Sequence, residues 1–280
     1  LQAYDRVFRW QPGRPAPAGI AAYAVAAATA FAAIGLPLSS PVQLRAAGRL
    51  GGRKLGLGTS AGVVVATGEA IAAAHGRAFD LALLRACDDA HRAAQGGRGS
   101  GYDVFAMGQG HVSRYDRQAR SVQALAWPHG LSAIALYAGQ GANTRDAIGG
   151  RVQADDVTAG AIAAAERGLA AALAMADISA VLAAVDAAEA AFARLASTST
   201  WLTSAGLQRV AAHVAAFGGH YRTSGAGGGD CGLGFFVSRH DADDAARAWH
   251  ANGGLVVATL PDDLRDGGLV AAAEDATHAQ

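Results

Sequence analysis

The sequence predicts an α+β fold with two domains. Three observations predict it: long alanine-rich apolar runs of helical length, short apolar or alternating runs of strand length, and one glycine-rich loop in each half of the chain. The chain has 280 residues, 51% hydrophobic and 16% charged, which is enough to bury a core. We predict domains at residues 1–128 and 129–280, with a ligand cleft between them.

The first half is predicted to begin with a buried helix at residues 18–34, which follows prolines and ends at Gly35 and Pro37. Alanine dominates this uncharged run and partitions weakly into lipid, which favours a core helix over a membrane span. The other elements predicted here are a strand at 41–47, a loop at 48–58, helices at 59–74 and 79–94, a glycine-rich turn at 96–101, and strands at 111–115 and 121–127.

The second half alternates between helices and strands. We predict a strand at 131–137, helices at 155–174, 178–195 and 201–217, a strand at 220–223, a glycine loop at 224–229, a strand at 231–238, a helix at 241–251 and a strand at 255–259. Asp177 separates the first two helices, and the hydroxyls at 197–200 are predicted to cap the third.

Charge and cysteine usage exclude several classes of protein. Lys+Arg and Asp+Glu both number 23, and no block of like charge indicates a nucleic-acid partner or a membrane anchor. Cys87 and Cys231 are far apart and outside any CxxC pattern, which argues against a disulfide framework or a zinc site. The nine histidines show no metal-ligand spacing. We therefore expect a cytoplasmic protein without a protein-ligated transition metal.

The first glycine loop, KLGLGTSAG, starts at Lys54 and leads directly into a helix. Glycines allow close approach of an anion, and the N–H groups of a helix start attract phosphate. Thr59 and Ser60 could bond phosphate oxygens or Mg²⁺, and Lys54 could add a cation. The alternative is a loop without ligand, in which Thr59 or Ser60 caps the helix. The string is not a Walker A motif, because no Gly-Lys-Ser/Thr closes it.

The second glycine loop, TSGAGGGDCG, starts at Thr223 and lies between two predicted strands. So many glycines cost chain entropy, which favours a nest of backbone N–H groups around an anion over a plain hairpin turn. The alternative is a flexible hairpin.

Together and in this order, the two loops resemble signatures of the GHMP kinases, the superfamily of galactokinase, homoserine kinase, mevalonate kinase and phosphomevalonate kinase. KLGLGTSAG resembles the second signature, and SGAGGGDCG resembles the third in its bacterial-type phosphomevalonate kinase form, where Asp230 and Cys231 are characteristic. The resemblance runs from about residue 48 to 259 and is specific only in these short stretches. It implies a ribosomal protein S5 domain 2-like N-terminal domain and a ferredoxin-like C-terminal domain.

The resemblance also implies functional residues. Asp103, after the glycine-rich turn GSGYD, would orient or deprotonate the acceptor oxygen; a lone Asp after glycines is otherwise a turn or cap residue. Lys54 would supply a cation, and Ser60 a ligand for Mg²⁺. The ATP-binding residues implied are Gly56, Leu57, Gly58, Thr59, Ser60, Ala61 and Gly62. The substrate-binding residues implied are Ser100, Asn143, Thr144, Ser224, Gly225, Ala226, Gly227 and Gly228.

The sequence departs from the family at its start. The first GHMP signature, a Gly-Lys strand followed by Gly-Glu, is not found, so we expect the first strands and their lysine to be missing from this chain. The predicted function is phosphorylation of 5-phosphomevalonate by ATP, in a monomer or homodimer without membrane or nucleic-acid partners. The alternatives are another GHMP kinase, such as mevalonate kinase, and a non-catalytic protein that binds a nucleotide or metabolite.

Overall fold

The structure is a computed structural model that describes residues 6–10, 19–38, 42–46, 49–50, 53–54, 58–97, 99–110, 112–139, 154–225, 227–229 and 231–261. Two compact units make up the chain: Leu1–Arg53 with Leu57–Ala124, and Lys54–Gly56 with Leu125–Gln280. Mixed helices and sheets confirm the predicted α+β class. The predicted domain limit at 128/129 stays a prediction.

Four helices build the core of the first unit: α1 (Ala21–Ala33), α2 (Thr59–Ala74), α3 (Leu81–Ala94) and α4 (Tyr102–Gln109). Helices α1, α2 and α3 approach closely at Gly68 of α2. A Cβ there would lie 2.6 Å from Cys87 Sγ and 2.7 Å from Phe31 Cζ, far inside van der Waals contact. Glycine at this position therefore allows three helices to share one core.

Three short strand pairs also lie among the described residues of the first half of the chain. Strand β1 (Arg6–Trp10) pairs antiparallel with β2 (Val42–Ala46), and β3 (Arg49–Leu50) pairs with β4 (Arg53–Lys54). Strand β5 (Ser113–Asp116) forms an antiparallel pair with β6 (Ser121–Ala124). Strand β1 was not predicted, and β3 and β4 lie inside the segment predicted as a loop. The prediction of missing first strands is not tested by these elements.

The second unit contains four long helices and one sheet. The helices are α5 (Asp156–Ala174), α6 (Ile178–Ser197), α7 (Ala205–Ala216) and α8 (Arg239–Ala251). The strands are β7 (Ser132–Tyr137), β8 (His220–Thr223), β9 (Cys231–Phe236) and β10 (Val256–Leu260). All neighbours are antiparallel, in the order β10-β7-β9-β8. With α7 before β8 and α8 before β10, this is the predicted ferredoxin-like arrangement.

Helix α6 covers the open edge of this sheet. The edge strand β8 presents its backbone and side chains to α6, where Glu189 accepts hydrogen bonds from the Thr223 amide at 2.8 Å and the Thr223 hydroxyl at 2.9 Å. Asp186 of the same helix lies 2.9 Å from His220 Nδ1. An exposed edge strand is a template for unwanted pairing, so the α5–α6 pair protects the sheet.

The third predicted helix of this half starts later than expected. Residues Thr200–Leu202 form a 3₁₀ turn, and α7 begins after Ser204, whose Oγ accepts from the Leu207 amide at 3.2 Å. The predicted cap at residues 197–200 is therefore wrong. Thr203 and Ser204 are extended, and Ser204 itself has the side-chain oxygen that satisfies an unpaired N–H of the first turn.

Among the described helices, α5 alone is long and apolar enough to cross a membrane by length and composition. A packed helix of a soluble protein passes the same test, and α5 packs along α6. The run at residues 18–34 forms α1, which is 13 residues long.

Gly160 offers a test of α5. A Cβ at this exposed helical position would meet no atom within 4 Å. Glycine in a helix interior is less favourable than alanine by about 1 kcal/mol. We expect Gly160→Ala to raise the free energy of unfolding by up to about 1 kcal/mol in urea denaturation. A loss of stability would contradict the helical conformation at this position.

Candidate active site

The start of α2 is the first component of the candidate site. Gly58 precedes the helix with φ 67°, a left-handed conformation that suits glycine, and its carbonyl accepts from the Gly62 amide at 2.9 Å. This is the first hydrogen bond of the helix, so the N–H groups of Thr59, Ser60 and Ala61, which precede Gly62, have no acceptor within the helix. No side chain among the described residues caps this helix start. It therefore offers backbone donors and a partial positive charge to an anion.

The start of α4 lies against it. Gly101 precedes α4 with φ 87°, and Asp103 follows in the first turn. A Cβ on Gly58 would lie 3.2 Å from Met107 Cε and 3.7 Å from Asp103 Cβ. Gly58 and the first turn of α4 are thus in direct proximity, with a carboxylate beside the start of α2.

The Asp103 carboxylate has one oxygen held by the backbone. Oδ1 accepts from the Val104 amide at 3.0 Å, and 26% of the side chain is exposed. Oδ2 lies 4.0 Å from His91 Nε2. Because the Asp103 carboxylate is partly exposed, it can still contact a ligand that enters from solvent.

His91 joins the two helix starts. This α3 side chain is buried, and its Nε2 lies 3.0 Å from Ser60 Oγ and 3.4 Å from Gln95 Nε2. The Tyr23 ring packs on it with centroids 5.3 Å apart. Burial lowers the pKa of His91 below its ordinary value, against the opposing effect of the Asp103 carboxylate.

A buried ion cluster supports the turn before Asp103. The Asp88 side chain is fully buried and pairs with Arg92 Nε at 2.9 Å and with an Arg120 guanidinium nitrogen at 2.9 Å. Arg92 Nη2 also donates to the Ser100 carbonyl at 3.1 Å. A Cβ on Gly101 would lie 2.6 Å from Asp88 Oδ1, so the turn rests directly on the cluster.

The structure brings Ser60 and Asp103 together through His91, whereas several other predicted residues are not described. Lys54 lies in β4, where the backbone alone is described. Ser100 contributes its carbonyl to Arg92. The predicted residues that lie outside the described part of the chain are Gly56, Leu57, Asn143, Thr144 and Ala226.

The second glycine loop packs tightly against the 3₁₀ turn. A Cβ on Gly227 would lie 2.3 Å from the Leu202 carbonyl oxygen, and one on Gly228 would lie 2.6 Å from the Trp201 carbonyl oxygen. Both glycines have positive φ, 80° and 78°. These close approaches require glycine, because a side chain would collide with backbone that has no room to move.

Not every amide of this loop is available to an anion. The Gly228 N–H donates to the Leu202 carbonyl at 2.7 Å, and the Ser224 N–H donates to the Cys231 carbonyl at 3.2 Å. The predicted anion nest therefore cannot use these two donors. Substrate binding by this loop, through Ser224, Gly225 and Gly227, stays a prediction.

Sequence reasoning missed His91 and Asp88. Both lie on one face of α3, the helix predicted at 79–94, and they contact α2, α4 and the β5–β6 turn. The available signal was the pair Asp88 and Arg92, spaced i,i+4 on a strongly amphipathic helix. An isolated histidine on such a helix does not by itself indicate a site.

The described residues do not form a metal site whose ligands all come from the protein. Within the described ranges, no group of three or more His, Cys, Asp or Glu side chains could hold a metal ion. Mg²⁺ in phosphoryl-transfer sites needs fewer, because one or two protein oxygens complete a shell of phosphate oxygens and water. The Ser60 hydroxyl, in the first turn of α2, fits that supplementary role by its chemistry.

Comparison with solved structures shows that this chain shares its fold with several GHMP-type small-molecule kinases, the fold that the sequence resemblance predicted. No protein-family model matches the chain. Comparison with curated proteins likewise gives no match.

Three solved structures illustrate the likeness. Streptococcus pneumoniae phosphomevalonate kinase, in complex with phosphomevalonate and AMPPNP, has a TM-score of 0.72 and 18% identity over 86% of this chain and 79% of its own. Methanococcus jannaschii mevalonate kinase has a TM-score of 0.67 and 12% identity over 85% and 74%. Cytophaga hutchinsonii homoserine kinase has a TM-score of 0.65 and 20% identity over 86% and 74%. At these identities the likeness shows the fold, which kinases for three different acceptors share.

Proposed function

We propose that this chain is a GHMP-type kinase that transfers the γ-phosphoryl group of ATP to 5-phosphomevalonate. The products are ADP and 5-diphosphomevalonate, an intermediate of isoprenoid precursor synthesis. One observation carries the proposal: a glycine-led helix start at Ser60, which no side chain in the described ranges caps, lies beside the partly exposed carboxylate of Asp103, with His91 contacting both.

This arrangement suits phosphoryl transfer. An acceptor phosphate oxygen attacks the γ-phosphorus, a new P–O bond forms, and the bond to the β,γ-bridging oxygen breaks, leaving the electron pair on ADP. The N–H groups of Thr59, Ser60 and Ala61 would offset charge on the ATP phosphates. A phosphate monoester with a second pKa of about 6 carries little proton at neutral pH. Asp103 would accept the hydrogen bond of an acceptor oxygen that still carries a proton, and would thereby orient that oxygen or take its proton.

Mg²⁺ would supply charge neutralisation across the ATP phosphates, with Ser60 Oγ as its protein ligand. Lys54 would add a cation at the same loop. Gly56, Leu57, Gly58 and Gly62 would complete the loop around the phosphates, because their backbone can approach an anion closely.

The proposed contacts to the acceptor depend on the second glycine loop and its signature. Ser100, Asn143 and Thr144 are proposed to contact the acceptor together with Ser224, Gly225, Ala226, Gly227 and Gly228. The choice of 5-phosphomevalonate is supported by Asp230 and Cys231 in the loop signature and by the likeness to a phosphomevalonate kinase structure. We propose a cytoplasmic monomer or homodimer.

The direct test is an acceptor panel. Purified protein with MgATP is given 5-phosphomevalonate, mevalonate or homoserine, and ADP release and ³¹P NMR spectra of the products are recorded. We expect turnover and a diphosphate signal with 5-phosphomevalonate, at a kcat/KM at least about 100-fold above the other acceptors, because a site with phosphate donors rejects an analogue lacking that group.

Other outcomes select the alternatives. Turnover with mevalonate in place of 5-phosphomevalonate would assign another GHMP kinase activity. Calorimetric ATP binding without transfer to any acceptor would indicate a non-catalytic binding protein. Undetectable binding of ATP would contradict the class.

A further inference from the structure

His91 occupies a position that the proposed reaction does not yet explain. Its side chain is 2% exposed, at the point where the starts of α2 and α4 meet. Nε2 lies 3.0 Å from Ser60 Oγ and 4.0 Å from Asp103 Oδ2, which are one group from each helix start. Nδ1 is buried without a hydrogen-bond partner among the described residues. Burying a polar ring costs free energy, so the presence of a histidine at this buried position needs a functional or structural explanation.

The surroundings of the two ring nitrogens of His91 determine which of them carries the proton. Burial favours the uncharged imidazole, which carries one proton. A proton on Nδ1 would leave a buried N–H with no acceptor among the described residues, whereas a proton on Nε2 can be donated to Ser60 Oγ. The Gln95 side-chain amide, whose nitrogen lies 3.4 Å from Nε2, must then turn its oxygen toward this N–H, a rotation that exchanges two atoms of similar size. The arrangement therefore assigns the proton to Nε2 and makes Ser60 the acceptor.

Donation from His91 Nε2 to Ser60 Oγ restricts where the Ser60 hydroxyl can place its own hydrogen. A hydroxyl that accepts from His91 must direct its own hydrogen elsewhere, because a hydroxyl has one donor and two acceptor positions. The Ser60 side chain stands on the first turn of α2, beside the backbone N–H groups. Its O–H would then be available to a phosphate oxygen, and its remaining lone pair would be available to Mg²⁺.

The same ring edge faces Asp103. Oδ1 of this carboxylate is held by the Val104 amide at 3.0 Å, and Oδ2 faces the N–H edge of His91 at 4.0 Å. At that distance the contact is an electrostatic attraction and not a hydrogen bond. It restrains the carboxylate on the side where the starts of the two helices meet.

We propose that His91 is a positioning residue, which fixes the Ser60 hydroxyl and the Asp103 carboxylate at a set separation for phosphoryl transfer. The proposal rests on the kinase function proposed above and adds a residue to its machinery. It acts through Ser60 and Asp103, so its removal should impair the chemical step more than substrate binding.

A double-mutant cycle tests this coupling. His91→Leu removes the donor at similar size, and we expect kcat to fall about 10- to 100-fold, while KM for ATP and for the acceptor changes less than about threefold. In a Ser60→Ala background the same change should cost less than about threefold, because the partner is already gone. Equal losses in both backgrounds would overturn the proposal.

A conservative variant separates positioning from folding. His91→Gln places an amide N–H near the position of Nε2, and we expect it to recover most of the lost kcat. Thermal unfolding is measured for each variant, and the exposed His240→Leu on α8 serves as a control expected to leave kcat unchanged. If His91→Leu does not fold, the Gln variant carries the test, and a kcat as low as that of Ser60→Ala would overturn the proposal.

Imidazole ¹⁵N NMR of the wild-type protein gives a readout independent of turnover. We expect the Nε2–H tautomer for His91, and a shift of its Nε2 resonance in Ser60→Ala. An Nδ1–H tautomer, or no shift, would overturn the positioning role even in an active kinase. Wild-type protein that is inactive on the whole acceptor panel would instead overturn the proposed function, and the NMR result would still decide the role of His91.

Discussion

Asp103→Asn is expected to lower kcat with 5-phosphomevalonate about 10³-fold, the range for removing a positioned carboxylate from the transition state. The amide keeps the size of the side chain, and its oxygen can still accept from the Val104 amide as Oδ1 does at 3.0 Å. What is lost is the Oδ2 oxygen as an acceptor for the proton of the acceptor substrate, because the amide NH2 that replaces it can only donate. KM for ATP should change little, because the proposed site for the nucleotide phosphates is the start of α2 and not Asp103. Initial rates of ADP release measure both constants.

The matched control is Asp156→Asn. Asp156 is also an acidic residue in the first turn of a helix, α5, and it is exposed. Both substitutions remove a favourable charge from a helix N-terminus, a stability effect of about 0.3 to 1 kcal/mol. We expect the control to leave kcat unchanged. Undiminished turnover in Asp103→Asn would remove this residue from the mechanism.

The fold was largely predictable from the sequence, because its elements are long and locally determined. Helix α2 follows a glycine-rich stretch and consists mostly of small and apolar residues, and the buried strand β7 is a short apolar run between turn residues. Strand β1 was missed, since it gains its structure by pairing with β2, a partner more than 30 residues away. Pairing of this kind is a tertiary effect that local propensity does not contain.

The candidate site was predictable in part. Ser60 and Asp103 follow glycines, and such local chemistry is visible in a single sequence. His91 and Asp88 act through distant partners: Ser60 is 31 positions from His91, and Arg120 is 32 positions from Asp88. Their spacing in the chain does not show that they meet. Only the structure shows these contacts.

The second loop shows how composition can mislead. Its glycines predicted an anion nest, but Gly227 and Gly228 are required by backbone packed against Trp201 and Leu202. The same glycine can serve a ligand or a close backbone approach, and the sequence does not distinguish the two. Whether the two glycine loops share one ligand stays a prediction.

Asp88→Asn is expected to lower the free energy of unfolding by about 3 kcal/mol, the low end for removing one partner of a buried ion pair. The low end applies because Arg92 and Arg120 are 25% and 32% exposed and can regain some hydration, whereas the Asp88 side chain is fully buried. The substitution also places an amide NH2 group against one of the two guanidinium groups, because Arg92 and Arg120 bind different carboxylate oxygens. Urea denaturation of the wild type and the variant measures the difference.

Asp89→Asn provides the control for this effect. Asp89 is the next residue on α3 and pairs with the same Arg120 at 2.7 Å, but 62% of its side chain is exposed. An exposed pair contributes about 0 to 1 kcal/mol, so the expected loss is at least threefold smaller than at Asp88. Because the buried carboxylate supports the turn at Gly101, Asp88→Asn should also lower kcat, while Asp89→Asn should not. Equal losses of stability in the two variants would show that burial of Asp88 does not determine the strength of this cluster.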